Sequence, residues 1–167
     1  MSIKTINKTN SVSQIEIRKV IKEDLPSLKE VLDSSELFPS EYLDNMISDY
    51  LNNPSSKDLW FTSVQDNKPI SIAYCAPEKL TEGTYNLYAI AIRKELQGKG
   101  IGKAMMNFIE KKLSESSVRV LIVDTSSDES LTLTRKFYKD LGYNHEATIR
   151  DFWQEGEDKI IFWKKLA

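Results

Sequence analysis

Ile15 and Ile17 alternate with Glu16 and Arg18, the period-two pattern of a short strand near a sheet edge over 15–21. From Asp24 the period lengthens. Leu25, Leu28, Val31 and Leu32 recur at three- and four-residue spacing, with Asp24 placed to cap a helix and Pro26 in its first turn. Tyr42, Leu43, Met46, Ile47, Tyr50 and Leu51 repeat that spacing until Asn52, Asn53 and Pro54 stop it. At Leu59 the pattern changes again: LWFTSVQ and PISIAYCAP flank Asp66-Asn67-Lys68 and predict a strand–turn–strand unit. Residues 84–92, TYNLYAIAI, carry large or apolar groups on both faces and predict a central strand. A helix entered at 97–102 has Ile101, Met105, Phe108, Ile109 and Leu113 on one side, and the apolar run at 118–125 predicts another strand. A second helix from Glu129 to Leu141 presents Leu133, Phe137 and Leu141 as its apolar stripe and stops at Gly142. Residues 145–150 and 159–165 close the chain as a hairpin around the polar DFWQEGED segment. Such alternation predicts one α/β domain over 15–167 behind a polar leader, residues 1–14.

Composition narrows the chemistry. The chain has 167 residues, 40% of them hydrophobic, enough for a core that needs no staple. Cys75 is the single cysteine and His145 the single histidine, which excludes an internal disulfide framework, a multi-cysteine metal site and histidine-based zinc catalysis; no metal is expected. Cys75, in an apolar strand, reads as a packing thiol rather than a nucleophile, and His145 as a surface or cap residue. A net charge of −2 supplies no positive field for nucleic acid. No apolar run reaches the ~20 residues of a membrane span, and MSIKTINKTNSVSQ lacks the apolar core of a secretory signal, so a cytoplasmic location is expected.

The segment with most chemical content is Gln97-Gly98-Lys99-Gly100-Ile101-Gly102-Lys103, set between a buried strand and an amphipathic helix. Free N–H groups at a helix entrance attract anions, and glycines let a phosphate approach the backbone. A nucleoside-triphosphate loop would need Ser or Thr after Gly102-Lys103, where Ala104 stands. A dinucleotide-binding fold would place the turn after its first strand, whereas four strands precede it here. A tight turn serving only close helix–sheet packing is the bland alternative.

Taken with its surroundings, this segment resembles the acetyl-CoA signature of the GCN5-related N-acetyltransferase (GNAT) family: Gln97, two residues, Gly100, one residue, Gly102, after a strand ending Ala89-Ile90-Ala91-Ile92. Thr134 to Tyr143, TRKFYKDLGY, resembles the family's later helix-and-turn motif, and the two motifs stand in family order with a strand between them. The resemblance implies one mixed central β-sheet flanked by helices. It also implies direct acetyl transfer from acetyl-CoA to an amine, without an acyl-enzyme.

Residue by residue, it implies that backbone N–H groups of Gly98, Lys99, Gly100, Ile101, Gly102 and Lys103, with Gln97, hold the pyrophosphate. Ile90, Ala91 and Ile92 would align the pantetheine arm and polarise the thioester, and Thr132 and Arg135 would add cofactor contacts; Thr132 stands where many relatives have Asn. Tyr138 matches the family's tyrosine acid. The strand before the turn offers Asn86 and Tyr88 but no carboxylate, so the base candidates are Glu82, Asp124 and Glu78. Phe38, Tyr42, Trp60, Tyr85, Tyr88 and Trp153 are candidate walls for the acceptor. The expected acceptor is a small-molecule primary amine. A protein N-terminus or lysine, and a non-catalytic acyl-CoA-binding module, are the alternatives, and a homodimer is compatible with the terminal hairpin.

Overall fold

The computed structural model describes residues 14–166; of the leader at 1–14, all but the last residue lies outside that range. Among the described residues the strands are β1 (Glu16–Lys19), β2 (Leu59–Gln65), β3 (Lys68–Pro69), β4 (Ser71–Pro77), β5 (Thr84–Ile92), β6 (Val120–Ser126), β7 (Asn144–Gln154) and β8 (Glu157–Lys165). The helices are α1 (Leu25–Ser35), α2 (Leu43–Asn52), α3 (Ile101–Glu115) and α4 (Thr132–Asp140). The strands form one sheet in the order β1-β2-β4-β5-β6-β8-β7, with β3 beside β2. Its one parallel pair is β5–β6, so the sheet is mixed, and β5 is central as its two-faced pattern predicts.

Two clusters cover the two faces. Leu28, Val31 and Leu32 of α1 and Leu43 and Ile47 of α2 pack on Trp60, Ile72 and Ala91. Met105, Met106, Ile109 and Leu113 of α3, with Tyr138 of α4, pack on Phe61, Cys75, Leu87, Leu121, Val123 and Phe162 of the other face. Each buried Leu or Ile contributes about 1.5–3 kcal/mol, so both faces hold the sheet between helical layers.

Several local expectations are corrected. Asp24 does not cap α1 with its side chain; its carboxylate accepts both arms of the Arg18 guanidinium at 2.7 and 2.9 Å and the Ile21 N–H at 2.9 Å. Leu133 is 79% exposed, and the inward side of α4 is formed by Thr134, Phe137 and Tyr138, continued by Leu141 beyond its end. Tyr138 therefore sits in the middle of that stripe. The closing hairpin is longer than its alternation predicts, because β7 and β8 take in most of the polar DFWQEGED segment. Asp66 and Asn67, at φ 51° and 61°, make the two-residue turn that pairs Gln65 with Lys68.

The sheet opens between β5 and β6. These strands pair only from Thr84–Val120 to Leu87–Val123. Beyond that point β5 follows β4, through Ala89–Tyr74 to Ile92–Ser71, while β6 follows β8, through Asp124–Ile161 to Ser126–Lys159. A bulge contributes to the parting: Tyr74 pairs with Ala89 but Cys75 with Leu87, which leaves Tyr88 as an extra residue on β5.

Candidate active site

The gap between β5 and β6 runs into a cavity of about 1070 Å³. Its lining includes Ile90, Ala91 and Ile92 of β5, most of the glycine turn, and Thr134, Phe137 and Tyr138 of α4. Gly98 and Gly100 have φ of +74° and +82°, a conformation that disfavours a Cβ. Nothing of the protein lies within 4 Å of a Cβ built at either position, so helix–sheet packing does not account for these glycines. They face open space at the N-terminus of α3, which suits an anionic chain such as the pyrophosphate of acetyl-CoA. Gln97 ties the turn to the strand by donating from Nε2 to the Ile92 carbonyl at 3.1 Å.

Not every expected cofactor residue reaches this cavity. Arg135 donates to the carbonyls of Ser126 (2.7 Å) and Asp128 (2.8 Å) and to Thr132 Oγ1 (3.2 Å), while that hydroxyl donates to the Glu129 carbonyl at 2.7 Å. Thr132 and Arg135 thus brace the β6–α4 connection, and their neighbours Ser130, Leu131, Leu133 and Thr134 line the cavity instead. Lys103 reaches the lining and Lys99 does not.

Tyr138 is 3% exposed. Burial pushes its phenol well above the usual tyrosine range, with nearby Cys75 adding to the shift. Its position is fixed by the end of α4, where the Tyr143 N–H donates to the Tyr138 carbonyl at 3.0 Å and the Gly142 N–H to the Lys139 carbonyl at 3.0 Å. Gly142, at φ +87°, permits this reversal. The Tyr143 ring packs against Tyr138 with centroids 5.8 Å apart. Cys75 is fully buried, and burial pushes its thiol upward.

A smaller cavity of about 170 Å³ adjoins the first and shares Leu37, Ile90, Leu131, Thr134 and Tyr138 with it, adding Tyr88 and Asp124. Asn86 and Asp124 alternate with Leu87 and Val123, which face α3 and α4, so the two polar residues belong to the opposite face. Asn86 Nδ2 donates to Glu78 Oε1 at 2.7 Å and to Asp124 Oδ2 at 3.2 Å. Tyr88 donates its hydroxyl to Glu78 Oε1 at 3.0 Å, and Lys159 pairs with Asp124 Oδ2 at 2.9 Å.

Of the three carboxylate candidates, the structure brings Asp124 and Glu78 together and leaves Glu82 outside. Glu82 precedes the paired start of β5 and its backbone carbonyl accepts from Arg119. Like Glu78 it lines neither cavity, but Glu78 accepts from the cavity-lining Tyr88, whereas the Glu82 side chain has no such partner among the described residues. Six residues of extended chain separate it from Tyr88, on the order of 20 Å. Among the aromatic candidates, Trp60 is fully buried and stacked on Tyr74 at 4.2 Å, and Tyr85 donates to the Lys57 carbonyl. Tyr88 is half-exposed beside the gap, and Trp153 donates from Nε1 to the Thr125 carbonyl at 3.2 Å. Sequence reasoning missed Leu37 and Glu157 in the lining; both stand in loops or at strand starts where no periodicity marks them.

The architecture and motif order have known counterparts. A crystal structure from Desulfovibrio desulfuricans, of a protein assigned to the GNAT acetyltransferases, superposes with a TM-score of 0.87 at 25% identity, covering 92% of this chain and all (100%) of that one. An aminoglycoside 6'-N-acetyltransferase complexed with coenzyme A shares the fold with a TM-score of 0.73 at 14% identity, over 91% of this chain and 97% of its own. An uncharacterized N-acetyltransferase of Methanocaldococcus jannaschii is 24% identical over 152 residues, 89% of this chain and 90% of its length. The pattern of the acetyltransferase (GNAT) family matches residues 19–143, which contain the glycine turn, the parted strands and Tyr138. The chain belongs to the GNAT family and is an acetyltransferase by that membership.

Proposed function

We propose that the protein is an acetyl-CoA-dependent N-acetyltransferase that moves the acetyl group directly to a primary amine, most simply that of a small molecule. The observation that carries this reading is the gap between β5 and β6, with the glycine turn at one end and polar groups from both faces of the sheet at the other. When bound, acetyl-CoA supplies an activated thioester and a thiol leaving group. Backbone N–H groups from Gly98 to Lys103 hold its phosphates. The β5 backbone beyond Leu87, which has no β6 partner, aligns the arm, and a main-chain N–H within 90–92 polarises the thioester carbonyl. Tyr138 keeps its proton at neutral pH and gives it to the departing sulfur.

The acceptor-side cavity measures about 170 Å³, room for the amine end of an acceptor. On this reading the enzyme works in the cytoplasm. A homodimer would use the edge strand β7, on which Ile149, Phe152 and Trp153 are 44–48% exposed. The deciding experiment follows thiol release from acetyl-CoA across benzylamine, phenethylamine, cadaverine and a lysine-containing peptide. Turnover with one or more of the free amines is expected, and Tyr138→Phe should lower kcat by roughly 10²-fold with CoA affinity unchanged. Turnover confined to the peptide favours a protein acceptor, and CoA binding without any turnover favours a sensor.

A further inference from the structure

We propose that Tyr88 and Glu78 form a proton relay on the acceptor side of the gap, which receives the amine as an ammonium ion and neutralises it; the proposal rests on the transfer reading above. Tyr88 is the bulged residue of β5. It lines the smaller cavity that Tyr138 reaches from the other face, and the residue is 50% exposed. That ring stacks on Tyr74 at 5.5 Å, and Tyr74 on Trp60 at 4.2 Å, so the phenol is held from behind with its free side toward the cavity. An exposed aromatic face attracts a cation.

Charge and hydrogen bonding specify the ligand further. Asp124 is matched by Lys159, whereas Glu78 accepts only from the neutral donors Tyr88 and Asn86 and has no cation within 4.0 Å among the described residues. Asn86 is 1% exposed, and its Oδ1 is buried without a hydrogen-bond partner, as is Asp124 Oδ1. Both of these buried atoms are acceptors, and Lys159, the cation beside them, is already paired with Asp124. Glu78 is left without a cation among the described residues, and a primary ammonium carries three N–H donors and no acceptor.

The relay moves one proton. An ammonium N–H bond breaks toward Tyr88 Oη as the Tyr88 O–H bond breaks toward Glu78 Oε1, 3.0 Å away. This leaves a lone pair on nitrogen, a neutral phenol and a protonated Glu78. Glu78 is only half-buried and passes the proton to water. Leaving water lowers the ammonium's own pKa from its usual value of ~10.4, which eases the transfer. Tyr88 remains a phenol throughout, its pKa pushed up to about 12 by burial and by the Glu78 carboxylate. Asp124, under this arrangement, is a positioning residue: paired with Lys159, it orients Asn86 against Glu78. The titratable groups facing the relay are Asp124 from β6, Lys159 from β8, and Tyr74 with its partner Asp58.

The test compares wild type, Glu78→Gln, Tyr88→Phe and the double variant, using the fastest amine of the panel between pH 7 and 10. Both substitutions preserve shape, and CoA affinity reports that each variant is folded. At pH 7 each single variant should lose roughly 10²-fold in kcat/KM, and the deficit should shrink toward pH 10, where much of the amine is already neutral. The double variant should be no slower than the worse single one, because a broken relay cannot be broken twice. Calorimetric titration of that amine into the CoA-saturated protein should show about tenfold weaker binding to Glu78→Gln, equivalent to ~1.4 kcal/mol. A pH-independent deficit, additive losses, or a wild-type profile in either single variant would overturn the relay while leaving the transfer reading intact. A wild type that binds CoA but acetylates nothing would instead overturn the transfer reading, and the relay with it.

Discussion

Tyr138 and Tyr88 approach the same gap from opposite faces of the sheet, and burial acts on them to different degrees. The first is almost wholly enclosed and the second half-open, so both hold their protons past the usual tyrosine value near ~10, Tyr138 the more firmly. A proton donor works below its pKa. The kcat profile should therefore show no alkaline fall centred near pH 10; such a fall would identify an ordinary, solvated phenol as the donor. Glu82→Gln should leave kcat/KM within about twofold, since this side chain, unlike that of Glu78, is not hydrogen-bonded to a residue of either cavity. The sequence could rank Glu82 beside Asp124 and Glu78 because all three flank the same pair of strands. The fold of the loop before β5 separates them: the Glu78 N–H donates to the Thr84 carbonyl at 2.9 Å, which returns Glu78 to β5, and one-dimensional spacing carries no record of that return. Tyr88 escaped a firm choice against Tyr85 for a related reason: the bulge breaks the alternation by which faces are counted.

At the level of elements, the glycine turn was legible because it combines a short motif with a position between strand and helix. Its purpose became clear from space rather than spacing: a Cβ on Gly100 meets no protein atom within 4 Å, yet φ is +82°. Gly100→Ala should cost about 1–2 kcal/mol in stability from the left-handed backbone alone. It should also weaken CoA binding by more than that stability loss explains, read by titration at a temperature where the variant remains folded. Helix α4 shows the opposite case. Its stripe was assigned to Leu133, Phe137 and Leu141, but Leu133 turned outward onto the rim of the larger cavity. Hydrophobicity marks what avoids water, without distinguishing a protein core from a ligand groove. The helix end is locked by Lys164, which donates to the Leu141 carbonyl at 2.8 Å and pairs with Glu110 at 2.6 Å. Lys164→Met should lower stability by roughly 1–3 kcal/mol, visible as a reduced Tm, by leaving a half-buried carbonyl and carboxylate short of a donor.

Across the whole molecule, element order and the central place of β5 could be read from periodicity, since both faces of that strand carry large or apolar groups. The parting of β5 from β6 could not, because it depends on each strand following a different neighbour. The first strand, paired with β2, is also tied to the turn before α1 by the Arg18–Asp24 pair. Burial works to raise the Asp24 pKa, but the Arg18 hydrogen bonds and the Ile21 N–H outweigh it, and the net shift is downward. A carboxyl depressed in the folded state stabilises above its unfolded pKa, near ~3.9, and loses that contribution as pH falls through the lower folded value. Thermal melts from pH 7 to 3 should therefore show a decline below about pH 4 that is smaller in Asp24→Asn, which starts from a lower Tm.

The four-residue ladder between β5 and β6 means that two sheet edges lie inside one molecule, facing each other across the gap. Exposed edges ordinarily invite pairing with another chain. Here each edge shields the other from such partners while its own amides stay open to water, so hydrogen exchange becomes a direct gauge of occupancy. Gap-facing amides within Tyr88–Ile92 should exchange quickly in the free protein and slow when CoA is added, whereas those paired within Thr84–Leu87 should keep their rates.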